Sequence, residues 1–263
     1  GLRHIGAIAP GYQADIVVLD DLCSMNVSEV FFKGKKAGGN ELDKRRECPS
    51  GLKHTIHLEN FSKECLKLPL QGKRAHVIQM EEGQITTKDL VCQVPGEKEF
   101  EADQEFNKIA VIERHKGTGR TGVGILSGFG LRGGAIASSV SHDSHNIIVV
   151  GDNDADMELA VNELVRTQGG YTIVENGAVS MTLALPIMGL MSDAGYENVN
   201  ATLKKMLAKA HQMGVPKGME PFITLSFMAL PVIPQLRITP RGLFSVSEFC
   251  LLDTVRNGED NGN

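Results

Sequence analysis

The chain has no Cys-x-x-Cys pair among its five cysteines, Cys23, Cys48, Cys65, Cys92 and Cys250. An odd number at irregular spacing excludes a zinc ribbon, a thioredoxin-like redox motif and a disulfide framework, and it fits a reduced, cytoplasmic setting. No run of 18 apolar residues is present, nor a basic-then-apolar leader, so neither a membrane span nor a signal segment is expected. No Lys/Arg-rich run carries interleaved aromatics and the net charge is −5, which leaves no electrostatic footprint for nucleic acid. The local cluster Asp43–Cys48, "DKRREC", reads as a solvated loop. The first residue is not methionine, and "GLRHIGAIAPGYQADIVVLDDL" reads like the middle of a protein, so a fragment or one piece of a processed chain is expected.

What is there is a globular composition. Hydrophobic residues make up 41% and charged residues 22% of 263 positions, enough for one large or two small domains burying roughly 70–75% of the unfolded surface.

Periodicity places the elements. "ADIVVLD" and "SEVFFKG" read as strands, Ile16–Leu19 being a short buried run. The glycine-rich, charged text from Lys33 to about His54 reads as a connection or domain boundary. "RAHVIQMEEGQITTKDLVCQVP" reads as a β-hairpin across "EEGQ", and "NKIAVIERH" as a further strand. Residues 117–134 hold eight glycines, so loop, irregular strand and close backbone approach are expected there. A helix is predicted from about Asp154 to Gln168. Met157, Ala160, Val161, Leu164 and Val165 form its apolar face, Asp152 or Asn153 caps it, and Gly169 ends it. "GYTIVENGAVSMTLAL" predicts a hairpin with Asn176-Gly177 in a tight turn. A second amphipathic helix is predicted over roughly Val199–Met213, and packed irregular chain with short elements over the proline-broken C-terminal stretch. Without regular βα alternation or an internal repeat, the order implies an α+β fold.

Several motif matches fail on context. Gly117, Gly119 and Gly122 match G-x-G-x-x-G, yet no helix follows to hold a pyrophosphate. "HLE", His57–Glu59, matches half of a nucleobase-deaminase zinc signature, but P-C-x-x-C is absent, so the match is accidental. His54/His57 and His142/His145 have metal-compatible spacing but lie outside predicted helices and lack a matching third ligand.

The segment "SSVSHDSHNIIVVGDND" concentrates polar groups at a strand entry. Extended backbone there would send His142, Ser144 and Asn146 one way and Asp143 and His145 the other, so the neighbouring Ser, His and Asp cannot form a hydrolytic triad. Burying such groups unpaired would cost a few kcal/mol. A substrate-facing cluster and a self-satisfied polar turn remain the two readings.

"GAIAPGYQADIVVLDDL" resembles the segment that follows the barrel in the amidohydrolase superfamily and completes a small β-sandwich. "RHKGTGRTGVGILSGFGLRGGAIASSVSHDSHNIIVVGDNDADMELAVNELVRTQGGYTIVENG", with "LPIMGLMSD" and "PFITLSFMALPVIPQLRIT", is similar to the C-terminal domain of the bacterial adenine deaminases. The resemblance implies residues 1–45 as the end of the sandwich plus linker, and 46–263 as a mixed-sheet α+β domain. It also implies hydrolysis of adenine to hypoxanthine and ammonia in purine salvage, by hydroxide bound to Mn²⁺ or Fe²⁺.

The resemblance implies metals held in a (β/α)₈ barrel by an H-x-H on its first strand, further histidines, an acidic bridging group and a late aspartate. The sequence has no H-x-H, and no run of strand-helix pairs could build a barrel of at least 200 residues. No metal ligand is therefore assigned, the barrel is expected as a partner in cis or in trans, and the chain alone is expected to be inactive. Under that resemblance His142, Asp143 and His145 are candidate groups for orienting the purine or shuttling protons, with Arg114, His115, Ser144 and Asn146 as substrate-binding neighbours. Adenine is then the small-molecule partner, and neither nucleic acid nor membrane is expected. A homo-oligomer is expected, with the apolar C-terminal stretch offering an interface. The alternative is a non-catalytic capping or oligomerisation module.

Overall fold

The computed structural model describes residues 2–38, 47–70, 74–81 and 83–255. It divides into two compact units, Gly1–Glu47 and Cys48–Asn263. Residues 39–46, the middle of the stretch expected as a linker and most of the "DKRREC" cluster, lie outside the described residues, as does position 82 of the "EEGQ" turn.

In the first unit β1 (Ile16–Leu19), β2 (Val27–Phe32) and β3 (Lys35–Lys36) form an antiparallel sheet in that order. Lys33 and Gly34, both at positive φ (51° and 76°), supply the two-residue turn whose twist suits a hairpin. Asp15 accepts from the Lys33 amide at 2.8 Å, which ties that turn to the entry of β1. The expected burial of β1 is corrected. Val17 is 57% exposed and Phe32 on β2 is 60% exposed, because the described residues of this unit provide no second layer to cover the sheet.

The second unit is α+β. Its large sheet has eight strands in the order β11-β10-β8-β9-β6-β7-β4-β5. In chain order these are β4 (Arg74–Met80), β5 (Thr87–Gln93), β6 (Phe106–Ile112), β7 (Thr121–Ser127), β8 (Gly134–Ser138), β9 (Ile147–Gly151), β10 (Gly170–Glu175) and β11 (Ala178–Ala184). Neighbours pair antiparallel except β4 with β7, which run parallel.

Both faces of the sheet are covered, which is why β6, β8 and β9 are buried at every position. Ala110, Ile112, Ala137, Ile147 and Val149 pack with Met157, Ala160, Val161 and Leu164 of α1 (Asp154–Thr167). Ile109, Val111, Ile136, Ile148 and Val150 pack into the opposite cluster. That cluster takes in Met206 of α2 (Tyr196–Gln212), Phe222 and Leu225 of α3 (Pro221–Met228), and Leu236 and Ile238 of β12 (Leu236–Thr239). Each fully buried aliphatic side chain of this kind contributes about 1.5–3 kcal/mol. The start of α1 is capped by Asn153, whose Oδ1 accepts from the Asp156 amide at 2.8 Å. At its other end Gln168, at φ 57°, takes the left-handed position one residue before the expected Gly169.

Two expectations are corrected. The glycine-rich segment contains a regular seven-residue strand, β7, paired on both sides. Its glycines serve close approach: a Cβ on Gly122 would sit 1.9 Å from the Thr239 carbonyl oxygen, so glycine lets the turn after β12 lie against the strand. The proline-broken C-terminal stretch is also more regular than expected. Pro221 occupies the first turn of α3, where its missing N–H costs nothing. Beyond it, β12, β13 (Gly242–Ser245) and β14 (Cys250–Leu252) form a three-stranded antiparallel sheet. Pro231, Pro234 and Pro240 fall between elements. Among the described residues, no helix is long and apolar enough to cross a membrane.

Candidate functional site

The site grows out of one register. β6 pairs with β9 so that Ile112 faces Ile147. The residues leaving β6, Glu113 to His115, therefore run beside those entering β9, Ser144 to Asn146. His115 Nε2 lies 2.8 Å from the Ser144 carbonyl oxygen, and the Arg114 amide donates to Asn146 Oδ1 at 3.4 Å. All seven candidate residues are thus brought together at one end of the sheet.

The loop before β9 is not extended, which corrects the alternation expected for it. The His145 amide donates to the Ser141 carbonyl at 2.6 Å, and His145 sits at φ 50°, so residues 141–145 close a turn. Asp143 and Ser144 face solvent, whereas Ser141 and Asn146 are buried. α3 anchors the start of the turn: the His142 amide donates to Ser226 Oγ at 3.1 Å, and the Ser226 hydroxyl donates to the Val140 carbonyl. The His142 ring stacks on Phe227 with centroids 5.2 Å apart. Its Nδ1 lies 3.7 Å from Asp143 Oδ1, and the Asp143 side chain is 86% exposed.

Arg114 lies under the turn, only 1% exposed. Nη1 donates to Thr55 O at 3.0 Å and to Thr55 Oγ1 at 3.3 Å, Nη2 donates to Met188 O at 2.9 Å, and Nε donates to His145 O. Burial pulls its guanidinium down to about 10. His145 is also held below the ordinary imidazole range, first by burial and then by the Arg114 charge, with His142 and His115 in the same direction and Asp143 opposing. Its Nδ1 is buried without a hydrogen-bond partner, as is the Ser141 hydroxyl.

Beside them, Glu113 organises the turn after β6. Burial pushes its carboxyl up. Amides of Thr118, His115 and Lys116 and the Thr118 hydroxyl outweigh this and bring it down to about 2.

Thr55, Met188, Gly189, Ser226 and Phe227 belong to this assembly, and sequence reasoning passed over them. They come from three distant segments. The one local signal was Gly189 in "LPIMGLMSD", at φ 71°. Among the described residues no group of three or more His, Cys, Asp or Glu could hold a metal ion. A separate cavity of about 470 Å³, lined by Met80, Ile85, Met219, Glu220 and others, contains none of the candidate residues.

Residues 84–250 match the model of the family described as adenine deaminase C-terminal domain. The chain is 50% identical over 248 residues to an adenine deaminase of Desulfitobacterium hafniense (strain Y51), covering 94% of this chain and 44% of that protein. To the adenine deaminase of Nitratidesulfovibrio vulgaris (strain Hildenborough) it is 44% identical over 255 residues, covering 95% and 44%. To that of Clostridium acetobutylicum it is 43% identical over 264 residues, covering 95% and 45%. The chain spans less than half the length of each of these relatives.

Proposed function

The chain belongs to the adenine deaminase C-terminal domain family, and from that premise we propose that it is the C-terminal portion of an adenine deaminase. The whole enzyme would hydrolyse adenine to hypoxanthine and ammonia, in purine salvage in the cytoplasm. Support comes from the relatives of that name, matched over 94–95% of this chain but 44% of their own length.

Manganese or iron is the metal the resemblance implies for such hydrolysis. The described residues do not fit it, since they assemble no ligand group of the necessary size. The metal's ligands belong to a barrel outside these residues, joined in cis or supplied in trans, and this chain alone does not deaminate adenine.

The observation that carries a functional reading of the loop is the register of β6 against β9, which brings His115, on the turn after β6, against the 141–145 turn that holds His142, Asp143, Ser144 and His145. In this reading the turn meets adenine at the mouth of the barrel. His142, Asp143 and His145 orient the purine or pass protons, His115 and Ser144 flank it, and Arg114 and Asn146 support it from below. Co-expression with the barrel portion of a relative, followed by Asp143→Ala, tests this. Slower ammonia release supports it, and unchanged turnover removes the catalytic role.

A second reading, a non-catalytic capping or oligomerisation module, is favoured by the uncovered sheet of the first unit, where Val17, Val27 and Phe32 are 57%, 58% and 60% exposed. Size-exclusion mass and adenine calorimetry discriminate: a dimer that ignores adenine favours the module.

A further inference from the structure

Arg114 is a cation buried without a carboxylate among its hydrogen-bond partners: every acceptor is a neutral oxygen, on Thr55, His145 or Met188. Burying a charge this way is unfavourable unless its donors are filled. Here they are filled by three segments far apart in the chain, which the planar guanidinium gathers on one fork. The fit is close. A Cβ on Gly189 would lie 2.9 Å from Nη2, so the chain after Met188 is shaped to the guanidinium.

The two neighbouring rings have assignable protons. His115 Nε2 faces a carbonyl oxygen, which can only accept, so in the neutral ring Nε2 carries the proton and Nδ1 is the acceptor. In His145 the enclosed nitrogen is Nδ1, which has no partner. A proton there would be an unsatisfied buried donor beside the Arg114 charge. The neutral ring with its proton on Nε2 avoids both costs. Of the charged and titratable groups that face His145, Arg114, His142 and His115 oppose a second proton and Asp143 favours one.

We infer that Arg114 is the positioning residue of this loop. By holding the carbonyls of Thr55, His145 and Met188 on one fork, it keeps His145 as an Nε2–H donor beside His115 as an Nδ1 acceptor. For its ligand the inference rests on the proposed function. One fixed donor and one fixed acceptor suit a neutral planar heterocycle with an acceptor ring nitrogen and an amino N–H on one edge, the chemistry of an aminopurine.

The test is side-chain ¹H–¹⁵N correlation spectroscopy of the histidines in the 263-residue chain, from about pH 5 to pH 8, the range in which imidazoles titrate. In the unmodified chain both neutral rings should show the Nε2–H pattern, with the His145 midpoint below the ordinary value of 6.5. Arg114→Gln should move that midpoint upward and mix the His145 tautomers. Arg114→Lys, which restores charge but not the fork, should restore part of the depression. An Nδ1–H His145 in the unmodified chain, or an unchanged midpoint and tautomer in a folded Arg114→Gln chain, overturns the inference. If Arg114→Gln fails to fold, Gly189→Ala, which presses on the fork without removing it, must still disturb the His145 signals, and an undisturbed His145 overturns the inference. Adenine is then added to the unmodified chain. Shifts at His115 and His145 support the ligand assignment, and predicted tautomers with no adenine response overturn that assignment while leaving the positioning role intact.

Discussion

His115 Nε2 meets the carbonyl oxygen of Ser144 at 2.8 Å across 29 residues of sequence. The contact follows from the antiparallel register of β6 and β9, and it joins the turn after one strand to the turn before the other. Removing the ring should loosen the 141–145 turn without unfolding the sheet. His115→Ala is expected to cost about 1 kcal/mol, the scale of one net hydrogen bond, and to raise amide exchange at Ser144 and His145. Exchange rates matching those of the unmodified chain would show that the contact does not hold the turn.

Arg114 should matter far more to stability than its charge alone suggests. Arg114→Met keeps most of the volume but leaves the carbonyls of Thr55, His145 and Met188 without their donor. A loss of about 2–4 kcal/mol is expected from buried acceptors left unpaired, read by urea denaturation. A loss below about 0.5 kcal/mol, the surface-substitution scale, would contradict the fork.

The two glycines of β7 should respond differently to alanine. Gly122 is pressed against the Thr239 carbonyl, 1.9 Å from the position of a Cβ, whereas on Gly124 the nearest atom would be the flexible Ile238 Cδ1 at 3.4 Å. Gly122→Ala should cost about 3 kcal/mol, at the upper end of overpacking, and Gly124→Ala much less. Equal melting temperatures for the two variants would refute this packing of β12 on β7.

Glu113 gives a pH signature. Its folded carboxyl lies near 2, below the ordinary 4.5, so it contributes stability that is complete above 4.5 and is lost as pH falls toward 2. Glu113→Gln should lower stability at neutral pH and flatten the acid limb between those values. An acid limb of unchanged slope would mean that the carboxylate does not organise the 113–118 turn.

Much of this arrangement was legible wherever local chemistry and tertiary demand agree. The stripe Met157, Ala160, Val161, Leu164 predicts α1, and all four are fully buried. Asn176-Gly177 predicts a tight hairpin, and both residues take positive φ, 49° and 80°. What was not legible depended on distant chain. Gly122 and Gly124 argue locally against a strand, but the backbone at Thr239 requires the bareness of Gly122. Alternation along "SHDSHN" assumed extended backbone, whereas the His145–Ser141 hydrogen bond and the α3 anchor fold it into a turn. Arg114 reads from the sequence as a substrate-binding neighbour; the carbonyls it holds in the fold, at positions 55, 145 and 188, are invisible until the sheet assembles them.

Under the proposed function these residues serve a metal they do not themselves hold. Ammonia release from adenine, measured with added manganese for the purified 263-residue chain alone and then together with the barrel portion of a relative, tests it most directly. No release alone and release on combination is the predicted result. Stoichiometric manganese uptake with ammonia release by the chain alone would contradict it.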